Sequence, residues 1–227
     1  MRLDDWAGRL PWAESILRPD EHARIARQRM QADREMLMLA YALHRAFLAE
    51  VLGSQPASVP LRRDEAGRPR IEGDAVWTSL SHTRGWVALA ACRSHPVGVD
   101  IEPIERADVM DEIAHVVCDP DELERLRSLD LAARRDRLLS LWVRKEAVLK
   151  AVGVGLQTPM DSFCALDDRP VLIPGVGGRW YISSIEAPTD IRAAVAASAV
   201  LQVEGGLLNT SALFSRYRDN DVAADDS

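Results

Sequence analysis

One helical stretch, residues 138–156 (LLSLWVRKEAVLKAVGVGL), constrains this chain more than any other segment. Apolar residues recur along it at helical spacing and fall near one side, and Gly153 is of the type that ends helices. The opposite side carries Lys145, Glu146 and Lys150. Lys145 and Lys150 are the only lysines among the 28 basic residues of the sequence.

The use of lysine in this helix indicates a specific chemical need. Lysine is a compact charge that titrates, whereas arginine is a wide and permanently charged fork. Because a chain that otherwise uses arginine places both lysines within six residues, we infer that the helix requires lysine chemistry. The alternative is an ordinary surface ion pair between Glu146 and Lys150, which lie one helical turn apart.

The composition is that of a globular protein and argues against some functions. With 227 residues, 47% of them hydrophobic and 28% charged, the chain can form one large or two small domains with a substantial core. Its net charge of −7 argues against broad nucleic-acid binding. Cys92, Cys118 and Cys164 lie far apart, which favours buried thiols over disulfides or metal ligands.

The N-terminal residues and the hydropathy pattern predict a cytoplasmic protein. The opening residues, MRLDDWAGRLPW, are too charged and interrupted for a secretory signal peptide. No apolar run approaches the length of a membrane-spanning helix, so we expect no membrane contact.

A long helix and a group of strand-like segments occur twice in the chain, once before about residue 95 and once after it. After a loosely patterned segment (1–20), we predict helices over 20–31 and 33–52, a loop over 54–75 and a strand hairpin over 76–92. There follow a strand over 97–101, helices over 107–117, 120–129 and 131–151, and short strands near 162–166, 171–173, 179–185 and 193–203. This order permits an α+β fold with an N-terminal half (1–96), a C-terminal half (97–204) and a flexible acidic tail (205–227).

Three carboxylates form a candidate metal site. Asp100 and Glu102 lie two residues apart in the strand VGVDIE, so they point to one face and raise each other's pKa. A cation between them relieves this cost, and oxygen ligands without nearby His or Cys favour Mg²⁺. With Glu146 as a third ligand and Lys150 and Lys145 nearby, the set is typical of phosphoryl-type transfer. The alternative for Asp100 and Glu102 alone is an exposed strand end.

Ser81 and His82 are adjacent on a predicted strand and do not form a nucleophile–base dyad. Side chains of neighbouring strand residues point to opposite faces, so the two cannot bond to each other while the strand stays regular. We expect His82 to contact substrate or phosphate. The alternative is a hydrogen-bonded histidine at the end of a strand.

Several motifs in a fixed order resemble those of the 4′-phosphopantetheinyl transferases. They are the turn Gly67-Arg68-Pro69 and the segments SLSHTRGW (79–86), VGVDIE (97–102), LWVRKEAVLKAVGVGL (141–156) and LQTPMDSF (156–163). The resemblance is to the larger, surfactin-synthetase-activating type of this superfamily, which activates peptide and polyketide synthases. One departure is that residues 1–16 show no clear strand pattern, whereas family members often begin with a short strand.

This resemblance implies a fold and a reaction. The fold would be a pseudo-twofold pair of similar α/β subdomains with the active site at their junction, and we expect a monomer. The reaction would move the 4′-phosphopantetheine arm of coenzyme A to a serine of an acyl or peptidyl carrier protein, releasing 3′,5′-ADP. It would need Mg²⁺, or Mn²⁺ in its place.

The resemblance also implies roles for individual residues. Asp100, Glu102 and Glu146 would hold the metal, and Glu146 or a metal-positioned water would take the serine proton. Lys150 would stabilise or protonate the leaving phosphate. The expected coenzyme A contacts are His82 with Ser81 and Thr83 near it, Arg68, Arg34, and more loosely Arg24 and Arg27. Lys145 is either a further phosphate contact or part of a structural ion pair.

Two other functions and one partner surface stay open at this point. The same motifs would serve an Mg²⁺-dependent phosphodiesterase acting on a nucleotide pyrophosphate, or a non-catalytic relative that binds carrier proteins. Carrier domains are usually acidic, so a local basic surface is needed to bind one. The candidates are Arg125, Arg127, Arg134, Arg135 and Arg137; the alternative is that these are ordinary solvated arginines.

Overall fold

The structure is a computed structural model that describes residues 1–64, 67–73, 76–155, 158–167 and 169–204. The predicted tail, 205–227, lies outside these residues. The described chain forms two compact units, one of residues 1–59 with 85–87 and one of residues 60–84 with 88–204. Helices and strands are both present, so the predicted α+β class is confirmed. The division into halves at residue 96 stays a prediction.

The first unit is mainly helical. Its helices are α1 (Leu10–Ile16), α2 (Pro19–Ile25) and α3 (Gln31–Leu52), with 3-10 turns at Asp4–Arg9 and Pro56–Ser58. Helix α3 agrees closely with the predicted span 33–52. It is buried over most of its middle and ends at Gly53, whose φ of 67° is a left-handed conformation that glycine adopts without steric cost.

The first residues of the chain pair with a later segment of the same unit. Arg2 and Trp86 form an antiparallel bridge. The N-terminal ammonium of Met1 donates to the carbonyl oxygen of Val87 at 2.9 Å, and the N–H of Val87 donates back to the Met1 carbonyl at 3.0 Å. Residues 1–16 were predicted without strand structure, so this bridged pairing was missed.

A buried ion pair joins α2 to α3. Arg45 Nε donates to Glu21 Oε2 at 2.7 Å, and Arg45 Nη1 donates to the carbonyl oxygens of Pro56 and Val59. Glu21 also accepts from the N–H of Arg18 at the start of α2. Because both charges are removed from water, the opposite charge and these polar partners compensate for the loss of solvation.

The second unit contains all the strands of the longer sheet and the second long helix. Its strands are β1 (Leu61–Arg63), β2 (Pro69–Ile71), β3 (Trp77–Thr83), β4 (Trp86–Cys92, its first two residues belonging to the first unit), β5 (Val97–Pro103), β6 (Tyr181–Ser184) and β7 (Ile191–Ala197). Its helices are α4 (Met110–Val117), α5 (Pro120–Arg127) and α6 (Leu131–Val152), with 3-10 turns at Ile104–Val109 and Met160–Ser162. None of the helices in the described ranges is long and apolar enough to cross a lipid bilayer.

The strands form three small antiparallel groups. Strands β1 and β2 pair, β3 and β4 form the predicted hairpin, and the third sheet has the order β5-β7-β6.

Three details correct the expectations from sequence. The predicted loop 54–75 contains the β1–β2 pair, residues 160–162 form a 3-10 turn where a strand was expected to begin, and β7 ends at Ala197 instead of continuing to residue 203.

Candidate active site

A glycine lets helix α6 lie close against strand β5. A Cβ atom at Gly98 would lie less than 3.0 Å from the backbone of Ala147 and Ala151, so only glycine fits there without a shift. The helix begins at the N-cap Asp130, whose side chain accepts from the N–H of Ala133 at 2.9 Å. The close packing brings the polar side of α6 to the carboxylates of β5.

Asp100 lies at the centre of a small polar cluster. Its Oδ1 atom accepts from Lys150 Nζ at 2.6 Å and from Ser81 Oγ at 2.7 Å, and Lys150 Nζ also donates to Ser81 Oγ at 3.0 Å. Asp100 is buried, while the Lys150 side chain is 30% exposed. The structure thus brings together one predicted metal ligand, the predicted phosphate-binding lysine and Ser81.

Glu102 and Glu146 lie close enough to Asp100 for its charge to act on both of them. Burial, then the charge of Asp100, raises the pKa of Glu146, and Lys150 partly opposes this increase. Burial also raises the pKa of Glu102, although the nearby Arg106 lowers it. A cation bound nearby would relieve the cost of keeping Glu102 and Glu146 charged.

The second oxygen of Asp100 supports the same conclusion. Asp100 Oδ2 is buried and has no hydrogen-bond partner within the described part of the chain. Buried carboxylate oxygens normally have a partner. An oxygen-only donor set with an unpartnered buried oxygen fits a hard divalent cation such as Mg²⁺.

Arg106 belongs to this cluster and was missed from the sequence. Its Nη1 atom donates to Glu102 Oε1 at 2.6 Å, and its guanidinium lies 4.7 Å from the centre of the Trp142 ring. The chain turns back through the 3-10 segment Ile104–Val109 to place it there. Periodicity does not reveal such a turn, and the four-residue spacing from Glu102 was the only available signal.

His82 lies in surroundings that favour the neutral form of its imidazole. Burial, followed by the charges of Lys150 and Arg63, lowers its pKa. Its Nδ1 atom is buried without a hydrogen-bond partner among the described residues. Ser81 bonds to Asp100 and Lys150, which agrees with the rejection of a Ser81–His82 dyad. Thr83 ends strand β3 and is partly buried.

Lys145 does not join this cluster. Its ammonium is fully buried and lies 2.5 Å from Glu122 Oε2. It also donates to the carbonyl oxygens of Val117, Met160 and Phe163 at 2.8, 2.8 and 2.6 Å. Four oxygen atoms therefore surround a group that solvent does not reach. The geometry favours the structural ion pair, and we remove Lys145 from the expected coenzyme A contacts.

The arginines expected to bind the nucleotide lie in different parts of the fold. Arg68 donates to two carbonyl oxygens at the C-terminal end of α6. Arg24, Arg27 and Arg34 belong to the first unit, where Arg24 lies in α2 and Arg34 Nε donates to the carbonyl oxygen of Gln28 at 2.8 Å. Their contacts with coenzyme A stay predictions.

Most of the arginines considered for carrier binding pair with acidic residues. The pairs are Arg127 with Glu124, Arg134 with Asp111, Arg135 with Asp111 and Asp108, and Arg137 with Asp167. These neighbours offset much of the positive charge, which favours the alternative of ordinary surface arginines.

Comparison with known proteins adds two family matches. The sequence profile of the 4′-phosphopantetheinyl transferase superfamily matches residues 96–196, and that of the 4′-phosphopantetheinyl transferase N-terminal region matches residues 6–94. The first match includes every carboxylate of the cluster and Lys150. The second includes Ser81 and His82.

Individual relatives give the same family name. The 4′-phosphopantetheinyl transferase gsp of Aneurinibacillus migulanus is 32% identical over 126 residues, which cover 56% of this chain and 52% of that protein. The phosphopantetheinyl transferase of Thraustochytrium sp. is 32% identical over 63% of this chain and 54% of its own length. The matched part of the chain thus spans about half the length of these two. The 4′-phosphopantetheinyl transferase Sfp of Bacillus subtilis is 28% identical over 81% of this chain and 83% of its own.

A solved structure, the holo-ACP-synthase of Plasmodium yoelii, superposes on 45% of this chain and 92% of its own with a TM-score of 0.39 and 19% identity. A likeness of this size is too small to support an argument about the site.

Proposed function

Since the chain belongs to the 4′-phosphopantetheinyl transferase superfamily, in its larger type, we propose that it transfers the 4′-phosphopantetheine arm of coenzyme A to a serine hydroxyl of a carrier protein. The observation that carries this proposal is the cluster of Asp100, Ser81 and Lys150 beside Glu102 and Glu146. It combines acceptors for a metal with a donor for phosphate oxygens.

The three carboxylates are the proposed metal ligands. Asp100, Glu102 and Glu146 provide only oxygen donors, and the unpartnered Asp100 Oδ2 is directly available. When bound, Mg²⁺ (or Mn²⁺) supplies positive charge to the pyrophosphate oxygens. Arg106 donates to Glu102 at 2.6 Å and so orients this proposed ligand. The Arg106 guanidinium itself packs against the Trp142 ring.

Lys150 is the proposed donor to the leaving group. In the reaction the serine oxygen forms a bond to the phosphorus that carries pantetheine, and the P–O bond to the adenosine phosphate breaks. Two hydrogen bonds, to Asp100 and Ser81, fix the direction of the ammonium and leave a third N–H for a substrate oxygen. Lys150 then stabilises the charge of the departing 3′,5′-ADP, or protonates it.

Glu146 is the proposed acceptor of the serine proton. Burial and the charge of Asp100 raise its pKa, which makes its carboxylate a stronger base than an exposed glutamate. The proton that leaves the serine hydroxyl therefore has an acceptor on the same helix as Lys150. A metal-positioned water is the other acceptor that the resemblance implies.

The remaining coenzyme A contacts are proposed from residue chemistry. Burial lowers the pKa of His82, and its Nδ1 atom has no partner among the described residues, so the ring can bond to a phosphate oxygen or a neighbouring hydroxyl. Thr83 adds a hydroxyl next to it. Arg24, Arg27 and Arg34 are proposed to meet the adenosine phosphates, as arginine forks suit phosphate geometry.

The setting of the reaction is also proposed. The three cysteines are free thiols, which a reducing cytoplasm maintains. All the residues of the cluster come from one chain, so a monomer contains the proposed chemistry. The natural carrier is an acyl or peptidyl carrier protein, and transfer to a panel of carriers would identify it.

Intact-protein mass spectrometry tests the proposal. The protein is incubated with coenzyme A, Mg²⁺ and a carrier domain, and a mass gain of one phosphopantetheine arm on the carrier is expected. Asp100→Ala should abolish this gain, while Asp121→Asn, a change at an exposed carboxylate, should preserve it. Cleavage of coenzyme A without carrier modification would instead indicate a phosphodiesterase. Carrier binding without either product would indicate a non-catalytic relative.

A further inference from the structure

Arg68 makes a two-point contact with the end of helix α6. Its Nη2 atom donates to the carbonyl oxygen of Ala151 at 2.6 Å, and its Nη1 atom donates to that of Val152 at 3.1 Å. The last carbonyl groups of a helix have no partner within the helix. The guanidinium therefore supplies the hydrogen bonds that α6 lacks at its C-terminal end, and its positive charge matches the negative end of the helix dipole.

Neighbouring groups hold the Arg68 fork in this orientation. Gly153 packs directly against it, because a Cβ atom there would lie less than 3.0 Å from Nη1. The Trp77 ring lies on another side, with its centre 5.6 Å from the guanidinium carbon. The N–H of Arg68 donates to Asp64 Oδ1 at 2.9 Å, which anchors the backbone of the turn. An arginine fixed by a ring, a glycine and two carbonyl groups has a defined position before any ligand binds.

Lys150 lies in the helical turn that Arg68 holds. It directly precedes Ala151, and its ammonium must reach Asp100 and Ser81 at 2.6 and 3.0 Å. The last turn of a helix frays unless its carbonyl groups find partners. Fraying of this turn would change the direction of the Lys150 side chain.

We propose that Arg68 is a positioning residue, which fixes the last turn of α6 and so aims Lys150 at the leaving phosphate. This inference rests on the proposed transferase function and differs from the nucleotide contact that the resemblance implies for Arg68. The two roles predict different kinetics. Loss of positioning lowers kcat, whereas loss of a nucleotide contact raises the KM for coenzyme A.

Arg70, in strand β2 and two residues after Arg68, provides a matched control. Its guanidinium lies 5.3 Å from the centre of the same Trp77 ring, and it pairs with Asp64 at 3.6 Å. None of the hydrogen bonds described for Arg70 goes to α6. Arg70→Gln therefore removes an equal charge from the same ring and the same turn, and leaves the end of the helix held.

The experiment compares Arg68→Gln, Arg68→Lys and Arg70→Gln in the transfer assay with coenzyme A and a carrier domain. We expect Arg68→Gln to lower kcat about 10- to 100-fold with the KM for coenzyme A changed less than about twofold. Arg68→Lys, which replaces the fork by a single ammonium, should lose less. Arg70→Gln should match the wild type.

Other outcomes have separate meanings. A raised KM for coenzyme A with kcat retained, or wild-type kinetics in Arg68→Gln, would overturn the positioning role. If thermal melting shows that Arg68→Gln is unfolded, the same comparison is made with Arg68→Lys, and an unchanged kcat there also overturns it. A wild-type protein that transfers nothing to any carrier contradicts the proposed function itself.

Discussion

The two long helices, α3 and α6, share their length, their end and a buried ion pair, and they differ at the residues of the candidate site. Helices α3 and α6 both have 22 residues and both end at a glycine in the left-handed conformation. In each, the fifteenth residue is a buried cation, Arg45 in α3 and Lys145 in α6. Each cation bonds to a buried glutamate, Glu21 or Glu122, in the first turn of a short preceding helix.

The surroundings of these two ion pairs also correspond. The short helices begin with Pro-Asp-Glu, at 19–21 and 120–122, and both glutamates take part in capping boxes. Arg45 bonds to the carbonyl oxygens of Pro56 and Val59, and Lys145 to those of Met160 and Phe163, beyond the end of each helix. The ion pair is therefore a repeated structural element that fastens a short helix and a following turn to a long helix.

The helices differ at the positions that follow the buried cation. One and five residues further on, α3 has Ala46 and Glu50, whereas α6 has Glu146 and Lys150. Ala46 is buried and Glu50 exposed, while both residues of α6 are partly buried beside Asp100. Structural and chemical roles are therefore carried by different residues of one helix. The candidate site lies where α6 differs from α3.

Breaking the repeated ion pair should have the largest effect. Lys145→Met leaves the Glu122 carboxylate buried without its cation, so we expect a loss of about 3–5 kcal/mol in the free energy of unfolding. Arg45→Met should cost a similar amount, because Glu21 is left in the same situation. Urea denaturation followed by circular dichroism measures both.

A double variant distinguishes the ion pair from simple packing. Lys145→Met combined with Glu122→Gln removes both charges, and we expect it to recover part of the lost stability. Transfer activity per folded molecule should persist in Lys145→Met. A specific loss of activity in a stably folded variant would return Lys145 to the active site.

The burial of Lys145 could not be predicted from the sequence. Its sequence neighbours, Arg144 and Glu146, are both charged. Its carbonyl acceptors come from residues 117, 160 and 163, which only the fold brings together. Five residues at about 100° each place Lys145 and Lys150 roughly 140° apart around the helix. The rarity of lysine drew attention to both positions, but this angle places the two side chains in different environments.

Removing the second lysine should affect activity more than stability. Lys150→Met deletes the proposed donor to the leaving phosphate, and losses of this kind are on the order of 10²- to 10³-fold in kcat. Because the Lys150 side chain is 30% exposed, we expect its removal to destabilise the fold less than Lys145→Met does. Steady-state transfer kinetics and urea denaturation of the same preparation test both statements. An equal loss of stability in the two variants would contradict the difference between the lysines.

The carboxylates and the elements around them were more predictable. Alternation along β5 predicted Asp100 and Glu102 on one face, and the long helix was expected to bring Glu146 and Lys150 to them. The structure shows the contact between Lys150 and Asp100, and the metal site stays a prediction. Arg106 and the role of Arg68 were not predicted, because both depend on turns that return the chain to α6. Periodicity predicts which side of an element is buried, but it does not predict which distant turn contacts its end.

Addition of Mg²⁺ should stabilise the protein through the residues near α6 and not through those of α3. Mg²⁺ at about 100 times its dissociation constant stabilises a folded protein by about 2.7 kcal/mol, so we expect a higher melting temperature for the wild type. Asp100→Asn should lose this response, because the unpartnered Oδ2 atom no longer carries the charge. Arg45→Met, which alters helix α3 and not the Asp100 cluster, should retain the increase. A response that persists in Asp100→Asn would place the metal elsewhere.

The smallest expected effect concerns the repulsion stored in the cluster. Burial and Asp100 raise the pKa of Glu146 above the model-peptide value of 4.5, so the folded state holds more protons than the unfolded state in the window above pH 4.5. The free energy of unfolding therefore decreases as pH rises through that window. Glu146→Gln removes the part of this decrease that comes from Glu146. In chelator at pH 7 we expect the variant to melt at a slightly higher temperature than the wild type. The difference should shrink as pH falls towards 4.5, because a larger fraction of the wild-type carboxyl is then protonated in the folded state. Glu50→Gln, a change at an exposed glutamate of α3, is the control and should show no such pH-dependent gain. A gain that is constant from pH 4.5 to pH 7 would mean that Glu146→Gln acts through packing instead of charge.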